Sequence, residues 1–169
     1  MAEIKEQIGN AVRYLTEHPD EARYTDSVAR ATLGDALRVE VEGPDGLRIT
    51  TDMPSAIGGL QAEPSPGWLY RAAMASCVAS TVAMEAAREG VDLRSLQVEV
   101  DSESDDRGIL GMDEAVPAGQ LSTRVRVTIE ADGVAEARLR EIVERGASRC
   151  PSYDATKRAV DVSLEIEAR

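Results

Sequence analysis

The stretch "WLYRAAMASCVASTVAMEAAREG", residues 68–90, decides how this chain folds. It has no helix breaker in its interior, and Gly90 supplies a C-terminal stop, so the stretch predicts one long α-helix. Alanine, serine, valine and methionine fill its middle on nearly all sides, which is typical of a buried, central helix. This helix carries Cys77, one of two cysteines in the chain, the other being Cys150.

Hydrophobic patterns on either side of this helix predict the rest of the architecture. The predicted order is α, βββ, α, ββ, α, α, β. Besides the long helix, apolar residues repeat at helical spacing over 3–17, 133–147 and 150–160. They alternate, as in strands, over 24–51, 94–104, 120–131 and 160–168. Strands occur in runs without regular βαβ alternation, which indicates an α+β fold. A chain of 169 residues has the usual length of one domain, so we predict a single domain over 1–169.

Charge and composition exclude several classes of protein. The chain has 31 acidic and 19 basic residues and a formal net charge of -12. This charge repels phosphate backbones and anionic lipid headgroups, so we expect no nucleic-acid partner and no membrane partner. The first residues lack the apolar core of a signal peptide, and no apolar run approaches the length of a transmembrane helix. We therefore expect a cytoplasmic location, where lasting structural disulfides are unusual.

The sequence also excludes several kinds of site. His18 is the only histidine and no CxxC pair is present, so a metal site lacks its ligands. Glycine-rich phosphate-binding motifs are absent as well, and we expect no cofactor. His18 follows the first predicted helix, before Pro19, where we expect its ring to cover terminal carbonyl groups.

The two cysteines are the residues left to carry chemistry. Small apolar neighbours raise the pKa of a thiol, so Cys77 needs a cation nearby if it is to react. Cys150 stands at the start of a helix, where free backbone N–H groups stabilise a thiolate. Arg71 and Arg149 lie close to the cysteines in sequence, but most arginines are exposed, so we expect both at the solvated surface. From the thiols alone, a reactive pair and two buried, inert side chains both stay open.

Two motifs around these cysteines resemble those of a known family. They are the segments "PSPGWLYRAAMASCVASTVAMEAAREGVDL" (64–93) and "RCPSYDATKRAVDVSLEI" (149–166), and a Gly-Gly pair stands at 58–59. These features resemble the cysteine motifs of the OsmC/Ohr family, which is named after osmotically inducible protein C and organic hydroperoxide resistance protein. The resemblance covers residues 24–169. It implies antiparallel sheets wrapped around a central buried helix, an intertwined homodimer, and a helix over 3–17 that is an N-terminal extension.

The resemblance further implies a thiol-dependent peroxidase whose two sulfurs have different roles. Cys77 attacks the O–O bond of a hydroperoxide as a thiolate and becomes a sulfenic acid, and Cys150 resolves it by forming a disulfide. This requires the two Cα atoms to lie within about 4.4–6.8 Å of each other. An external dithiol, lipoyl or another thiol, then reduces the disulfide by exchange. The small apolar neighbours of Cys77 favour organic hydroperoxides over hydrogen peroxide.

Two positions depart from the pattern of the family's peroxidases. Those enzymes have an acidic residue ten positions before the first cysteine, where this chain has Gly67, and Glu63 replaces it only if the loop bends differently. The activating arginine comes from the early strands, where Arg38 and Arg30 are candidates, and we assign Arg38 to the catalytic site with the two cysteines. A non-catalytic protein of the same fold, which binds a small ligand or acts in assembly with inert cysteines, stays an alternative. A structural or interaction role for the acidic segment 101–120 is a third.

Overall fold

The structure, a computed structural model, describes residues 1–168. The helices are α1 (Ala2–Glu17), α2 (Pro66–Arg88), α3 (Asp106–Ile109), α4 (Glu136–Ser148) and α5 (Pro151–Lys157), and the strands are β1 (Arg30–Leu33), β2 (Val39–Glu42), β3 (Arg48–Thr51), β4 (Ser95–Glu103) and β5 (Ser122–Glu130). The paired strands are antiparallel, which confirms the predicted α+β class. Two compact units are present: Glu6–Ala73 is one, and Met1–Lys5 with the chain from Met74 onward is the other. The assignment of one domain over 1–169, with 3–17 as an extension, stays a prediction.

Strands β1, β2 and β3 form the predicted antiparallel meander within the unit Glu6–Ala73. Strand β2 is central, with Val41 opposite Ala31 of β1 and Ile49 of β3. The turn between β2 and β3 places Asp45 and Gly46 at φ 56° and 76°, a left-handed conformation that small polar residues and glycine adopt most readily.

Asp52 organises the loop that leads from β3 towards α2. Its buried carboxylate accepts hydrogen bonds from the backbone N–H groups of Met53 (2.8 Å), Leu60 (3.1 and 3.2 Å) and Ala62 (3.1 Å). The N–H of Ala62 is the main reason that the pKa of Asp52 lies below its ordinary value. The loop turns so tightly that a Cβ atom on Gly59 would lie 1.8 Å from the carbonyl oxygen of Met53, so this position requires glycine.

Helix α1 agrees with the amphipathic helix predicted before Pro19. Nδ1 of His18 donates a hydrogen bond to the carbonyl oxygen of Tyr14 at 2.9 Å, and the two rings stack with centroids 4.3 Å apart. The expected role of His18 in covering a terminal carbonyl group is therefore confirmed. The apolar stripe of α1 is only partly covered within the described residues, since Val12 is 56% and Leu15 is 42% exposed.

The other unit has its core along one face of α2. Met74, Val78, Val82 and Ala86 recur every four residues on this face and are buried with Ile142 of α4. The strand side chains that pack against them come from alternate positions of β4 and β5: Leu96, Val98, Val100, Val125, Val127 and Ile129. The prediction of a buried, central helix is confirmed along this face, whereas Met84 on the same helix is 38% exposed.

Helix α4 lies close to α2 at Gly146. A Cβ atom on this residue would lie 2.6 Å from the Cα atom of Val82, so any side chain would force the two backbones apart. The contact places the end of α4 directly against α2. Because Cys150 follows Gly146 by four residues, the same contact brings the second cysteine towards the helix that carries the first.

The predicted final strand over 160–168 is absent. The residues described after Lys157 contain no helix or strand, and Val162, Leu164 and Ile166 are 87%, 84% and 78% exposed. A strand needs a neighbouring strand for its backbone hydrogen bonds, and no strand of the described chain pairs with this segment. The segment therefore has the alternating pattern of a strand without the partner that a strand needs.

Candidate functional site

The structure brings the two predicted catalytic cysteines together. Cys77 lies near the middle of α2 and is half-buried, whereas Cys150 is fully buried. Cys150 belongs to the buried core cluster and Cys77 packs against that cluster. Both are free thiols, and the side chain of Cys150 hydrogen-bonds that of Cys77. The site thus contains two free thiols that lie near each other.

Cys150 is the N-cap of α5, as the sequence predicts. Pro151 takes the first helical position, where its fixed φ suits a helix and its missing N–H costs no hydrogen bond. The N–H of Asp154 donates to the carbonyl oxygen of Cys150 at 2.9 Å and closes the first turn. The Sγ atom of Cys150 lies 3.2 Å from the Oγ atom of Ser152, so the hydroxyl and the thiol are hydrogen-bonded.

Ser152 is the residue that makes the environment of Cys77 polar. Burial raises the pKa of the Cys77 thiol, but hydrogen bonds from the Ser152 hydroxyl, the Ser152 backbone N–H and the Cys150 side chain lower it by more. The pKa of Cys77 therefore lies below its ordinary value. A lower pKa means more thiolate, the nucleophilic form, at neutral pH.

The groups that lower the pKa of Cys77 differ from the expected ones. A cation was expected to be necessary for a reactive Cys77, whereas no cation is among the causes that lower its pKa. Ser152 was missed at the sequence level. The signal was present in the "CPS" triplet, because the residue after a proline in the first helical turn has a backbone N–H with no partner inside the helix.

Arg38, the third predicted site residue, lies in the unit Glu6–Ala73. It precedes β2, and its Nη2 atom lies 3.5 Å from the Oε1 atom of Glu63 in an ion pair. Gly67, in the first turn of α2, provides no carboxylate, whereas Glu63 pairs with Arg38. Arg30 begins β1 and is exposed. The assignment of Arg38 to the catalytic site stays a prediction.

A cluster of charged residues surrounds Glu85 of α2 and includes Arg149, the residue before Cys150. This residue is 5% exposed, and its carboxylate accepts hydrogen bonds from Arg145, at 2.9 Å, and from Arg149. Arg149 is exposed, as expected, with 52% of its side chain accessible, but it also pairs with the buried carboxylate of Glu85. Arg71, the other arginine placed at the surface, is half-buried.

Residues 1–168 contain no group of histidine, cysteine and acidic side chains that is arranged to hold a metal ion. Within the same residues, no helix has both the length and the apolar character needed to cross a membrane. The expectations of no cofactor, no nucleic-acid partner and a cytoplasmic location stay predictions.

The fold and the adjacent thiols define an α+β protein with a paired-cysteine site. The family model described as "OsmC-like protein" matches residues 58–165, a span that includes both cysteines and most of the chain. The chain therefore belongs to the OsmC-like protein family. A search of curated proteins finds no significant match.

Solved structures of this family share the fold at low sequence identity. An OsmC-like protein from Mycoplasma pneumoniae is 16% identical, with a TM-score of 0.68 over 81% of this chain and 91% of that chain. An organic hydroperoxide resistance protein from Legionella pneumophila is 22% identical, with a TM-score of 0.58 over 84% and 96%. The organic hydroperoxide resistance protein OhrB of Bacillus subtilis is 21% identical, with a TM-score of 0.53 over 85% and 98%. At these identities, the similarity demonstrates the fold.

Proposed function

We propose that this protein is a cysteine-based hydroperoxide reductase that acts on organic hydroperoxides in preference to hydrogen peroxide. The observation that carries the proposal is the proximity of two free thiols, one of which has a lowered pKa. Membership of the OsmC-like family supports it, because similar structures include proteins named for organic hydroperoxide resistance.

In the first step, the Cys77 thiolate attacks the terminal oxygen of the hydroperoxide. A sulfur–oxygen bond forms, the O–O bond breaks, and the departing alkoxide takes up a proton and leaves as an alcohol. Cys77 becomes a sulfenic acid and is oxidised by two electrons. The Ser152 hydroxyl and N–H, which already hydrogen-bond the sulfur, stabilise the thiolate before the attack.

In the second step, the sulfur of Cys150 attacks the sulfur of the Cys77 sulfenic acid. The S–S bond forms, the S–O bond breaks, and the hydroxide takes up the proton of the thiol and leaves as water. An external dithiol, with a lipoyl group as one candidate, then returns both cysteines to thiols by exchange and is itself oxidised to a disulfide. The protein needs no resident cofactor for this cycle.

Two further features support parts of the proposal. The buried Met74 and Val78, which flank Cys77 along α2, give it an apolar neighbourhood that suits the alkyl group of an organic hydroperoxide. Arg38 stays a proposed site residue because its ion pair with Glu63 supplies the carboxylate that Gly67 lacks, although the groups that lower the pKa of Cys77 include no cation.

The direct test is a count of free thiols. The reduced protein has two free thiols per chain, and one molar equivalent of cumene hydroperoxide is expected to remove both, with one intramolecular disulfide and one equivalent of cumyl alcohol as products. Thiol titration after denaturation and mass spectrometry of the intact chain measure this result. Two remaining thiols per chain under excess peroxide contradict the peroxidase function.

One observation favours a second function. Gly67 stands where the family's peroxidases have an acidic residue, which favours a binding or assembly protein whose cysteines are inert. Such a protein would keep both thiols in the titration above. Its Cys77 would also be alkylated with a pH profile centred at or above the free-thiol value of about 8.5.

We also propose that the protein is a homodimer in which residues 159–168 pair with a second copy. The exposed side chains at alternate positions, Val162, Leu164 and Ile166, support the proposal because they have the pattern of a half-buried strand. Leu164→Lys is expected to shift the protein from dimer to monomer in sedimentation velocity, since burial of an unpaired charge is strongly unfavourable. Ser163→Lys adds the same charge on the opposite side and should keep the dimer. A monomeric wild-type chain, or a fully dimeric Leu164→Lys, would contradict the proposal.

A further inference from the structure

A buried carboxylate on the helix of Cys77 reaches the segment that carries Cys150. Glu85 follows Cys77 by two helical turns on α2 and is 5% exposed. Its Oε1 atom accepts a hydrogen bond from Nε of Arg145 at 2.9 Å, and its Oε2 atom accepts one from Arg149. Arg145 lies in the last turn of α4 and Arg149 directly precedes Cys150, so one side chain of α2 is attached to this end of α4 at two points.

The charges of this cluster favour a stable attachment. Burial raises the pKa of Glu85, but hydrogen bonds from Arg145 and Arg88, with the charge and hydrogen bond of Arg149, lower it by more, so its pKa lies below the ordinary value. The carboxylate is therefore ionised at neutral pH. If the arginines that hydrogen-bond a buried carboxylate are pulled away, its negative charge stays buried without a compensating positive charge. Separation of these ion pairs is therefore strongly unfavourable.

Arg149 has a position that Arg145 does not share. It is the C-cap residue of α4 and its peptide bond leads directly to Cys150, the N-cap of α5. The contact of Gly146 with α2 fixes the last turn of α4, but it lies three residues before Arg149. Within this charged cluster, the ion pair of Arg149 with Glu85 is thus the one nearest to Cys150 in sequence. The first turn of α5, closed by the hydrogen bond from the Asp154 N–H to the Cys150 carbonyl oxygen at 2.9 Å, connects that position to Ser152.

We propose that Glu85, acting through Arg149, is a positioning residue that holds Cys150 and Ser152 against Cys77. The role of this pair in disulfide formation rests on the proposed peroxidase function, whereas its effect on the environment of Cys77 does not. The ion pair of Glu85 and Arg149 thus determines how the two thiols are placed, although it touches neither sulfur. An ion pair that only stabilises the packing of α2 on α4 would leave the two thiols equally well placed when it is lost.

The chain provides a closely matched control for Arg149. Arg138 of α4 belongs to the same charged cluster and pairs with Glu89 and Glu141. Its side chain is 48% exposed, against 52% for Arg149, so Arg138→Gln and Arg149→Gln remove the same charge from equally exposed positions. Arg138 lies on the first helical turns of α4, remote in sequence from Cys150, so its loss tests the cluster without the attachment.

The first measurement is the pH dependence of Cys77 alkylation by iodoacetamide in the reduced protein, followed by peptide mass spectrometry. Arg149→Gln should move the alkylation midpoint to higher pH, because Ser152 no longer hydrogen-bonds the sulfur firmly. Ser152→Ala should move it in the same direction and serves as the positive control. Arg138→Gln should keep the wild-type midpoint, and Arg149→Lys, which keeps the charge, should restore most of it.

The second measurement is the rate of disulfide formation after one equivalent of cumene hydroperoxide. Arg149→Gln should slow it by roughly 10- to 100-fold, the scale expected for a displacement of about 1 Å between reacting groups. Glu85→Gln should have the same effect if it folds, and circular dichroism of each variant checks the fold. The result for Arg149→Gln decides the matter where Glu85→Gln does not fold.

A double substitution separates position from direct electrostatics. If Arg149 acts by placing Ser152, the change in alkylation midpoint for Ser152→Ala with Arg149→Gln should be smaller than the sum of the two single changes. Additive changes, or a wild-type midpoint and disulfide rate in Arg149→Gln, would overturn the inference and leave the peroxidase function intact. A wild-type protein that forms no disulfide with peroxide refutes the function instead, and the alkylation profiles still test the positioning.

Discussion

Cys77→Ser is expected to reduce hydroperoxide consumption to the rate measured without protein. A serine hydroxyl ionises far less readily than a thiol and has no sulfur to accept oxygen, so the first step has no nucleophile. The remaining thiol, Cys150, is fully buried and is not expected to react with the peroxide in place of Cys77. Consumption of cumene hydroperoxide with excess dithiothreitol measures the loss.

The control for this substitution is Ser80→Ala on the same helix. The Ser80 hydroxyl bonds the carbonyl oxygen of Ser76 at 3.0 Å and is exposed, so its removal leaves the thiol contact intact and the activity unchanged. In the wild-type protein, the rate should fall as the pH drops below the lowered pKa of Cys77, because protonation removes the thiolate. Peroxide consumption that persists in Cys77→Ser would transfer the nucleophilic role to Cys150 and reject the proposed assignment.

Local patterns were sufficient to predict most of the elements. Burial of one side of an element leaves a periodic pattern in the order of its residues. This pattern is the helical spacing over 3–17 and 133–147 and the alternation around β2, β4 and β5. Pro151 and Gly90 mark a helix start and a helix end for reasons that are equally local. The final strand failed because a strand also needs a partner, and a segment's own residues do not say where that partner is.

The contact between the cysteines was predictable only through family resemblance. Periodicity places Cys77 on a helix and Cys150 at a helix start, but it gives no distance between two elements so far apart in sequence. In the structure, α4 lies close to α2 at Gly146, which is one glycine among 13 in the chain. A glycine that permits helix packing is not distinguishable in a single sequence from one that serves a turn.

Polar partners were the hardest part of the site to anticipate. With 31 acidic residues, the chain offers no compositional reason to single out Glu85, and its burial follows from the face of α2 on which it lies. Ser152 acts on a sulfur from another helix, so its role depends on tertiary contact as well as on its own position. The need for a cation was inferred from the apolar residues next to Cys77 along its own helix. Residues of other elements that pack against Cys77, such as Ser152, cannot be identified from that local sequence.

Cys150→Ser is expected to stop the cycle after the first step. The variant should still consume one equivalent of cumene hydroperoxide, but Cys77 should remain a sulfenic acid that dimedone traps, because a serine hydroxyl does not form a disulfide. Under excess peroxide, the sulfenic acid should progress to sulfinic acid far more than in the wild type, where resolution competes with further oxidation. Intact-chain mass spectrometry distinguishes these products.

The substitution is suited to this test because the site can accept it. Serine is close to cysteine in size, and the Oγ atom of Ser152 lies 3.2 Å from the Cys150 sulfur, so a new hydroxyl at this buried position has a hydrogen-bond partner. The serine hydroxyl is also a hydrogen-bond donor, so the first step should proceed at a rate close to that of the wild type. A variant that reacts once and accumulates no sulfenic or sulfinic acid would mean that another group resolves Cys77, and Cys150 would lose its assigned role.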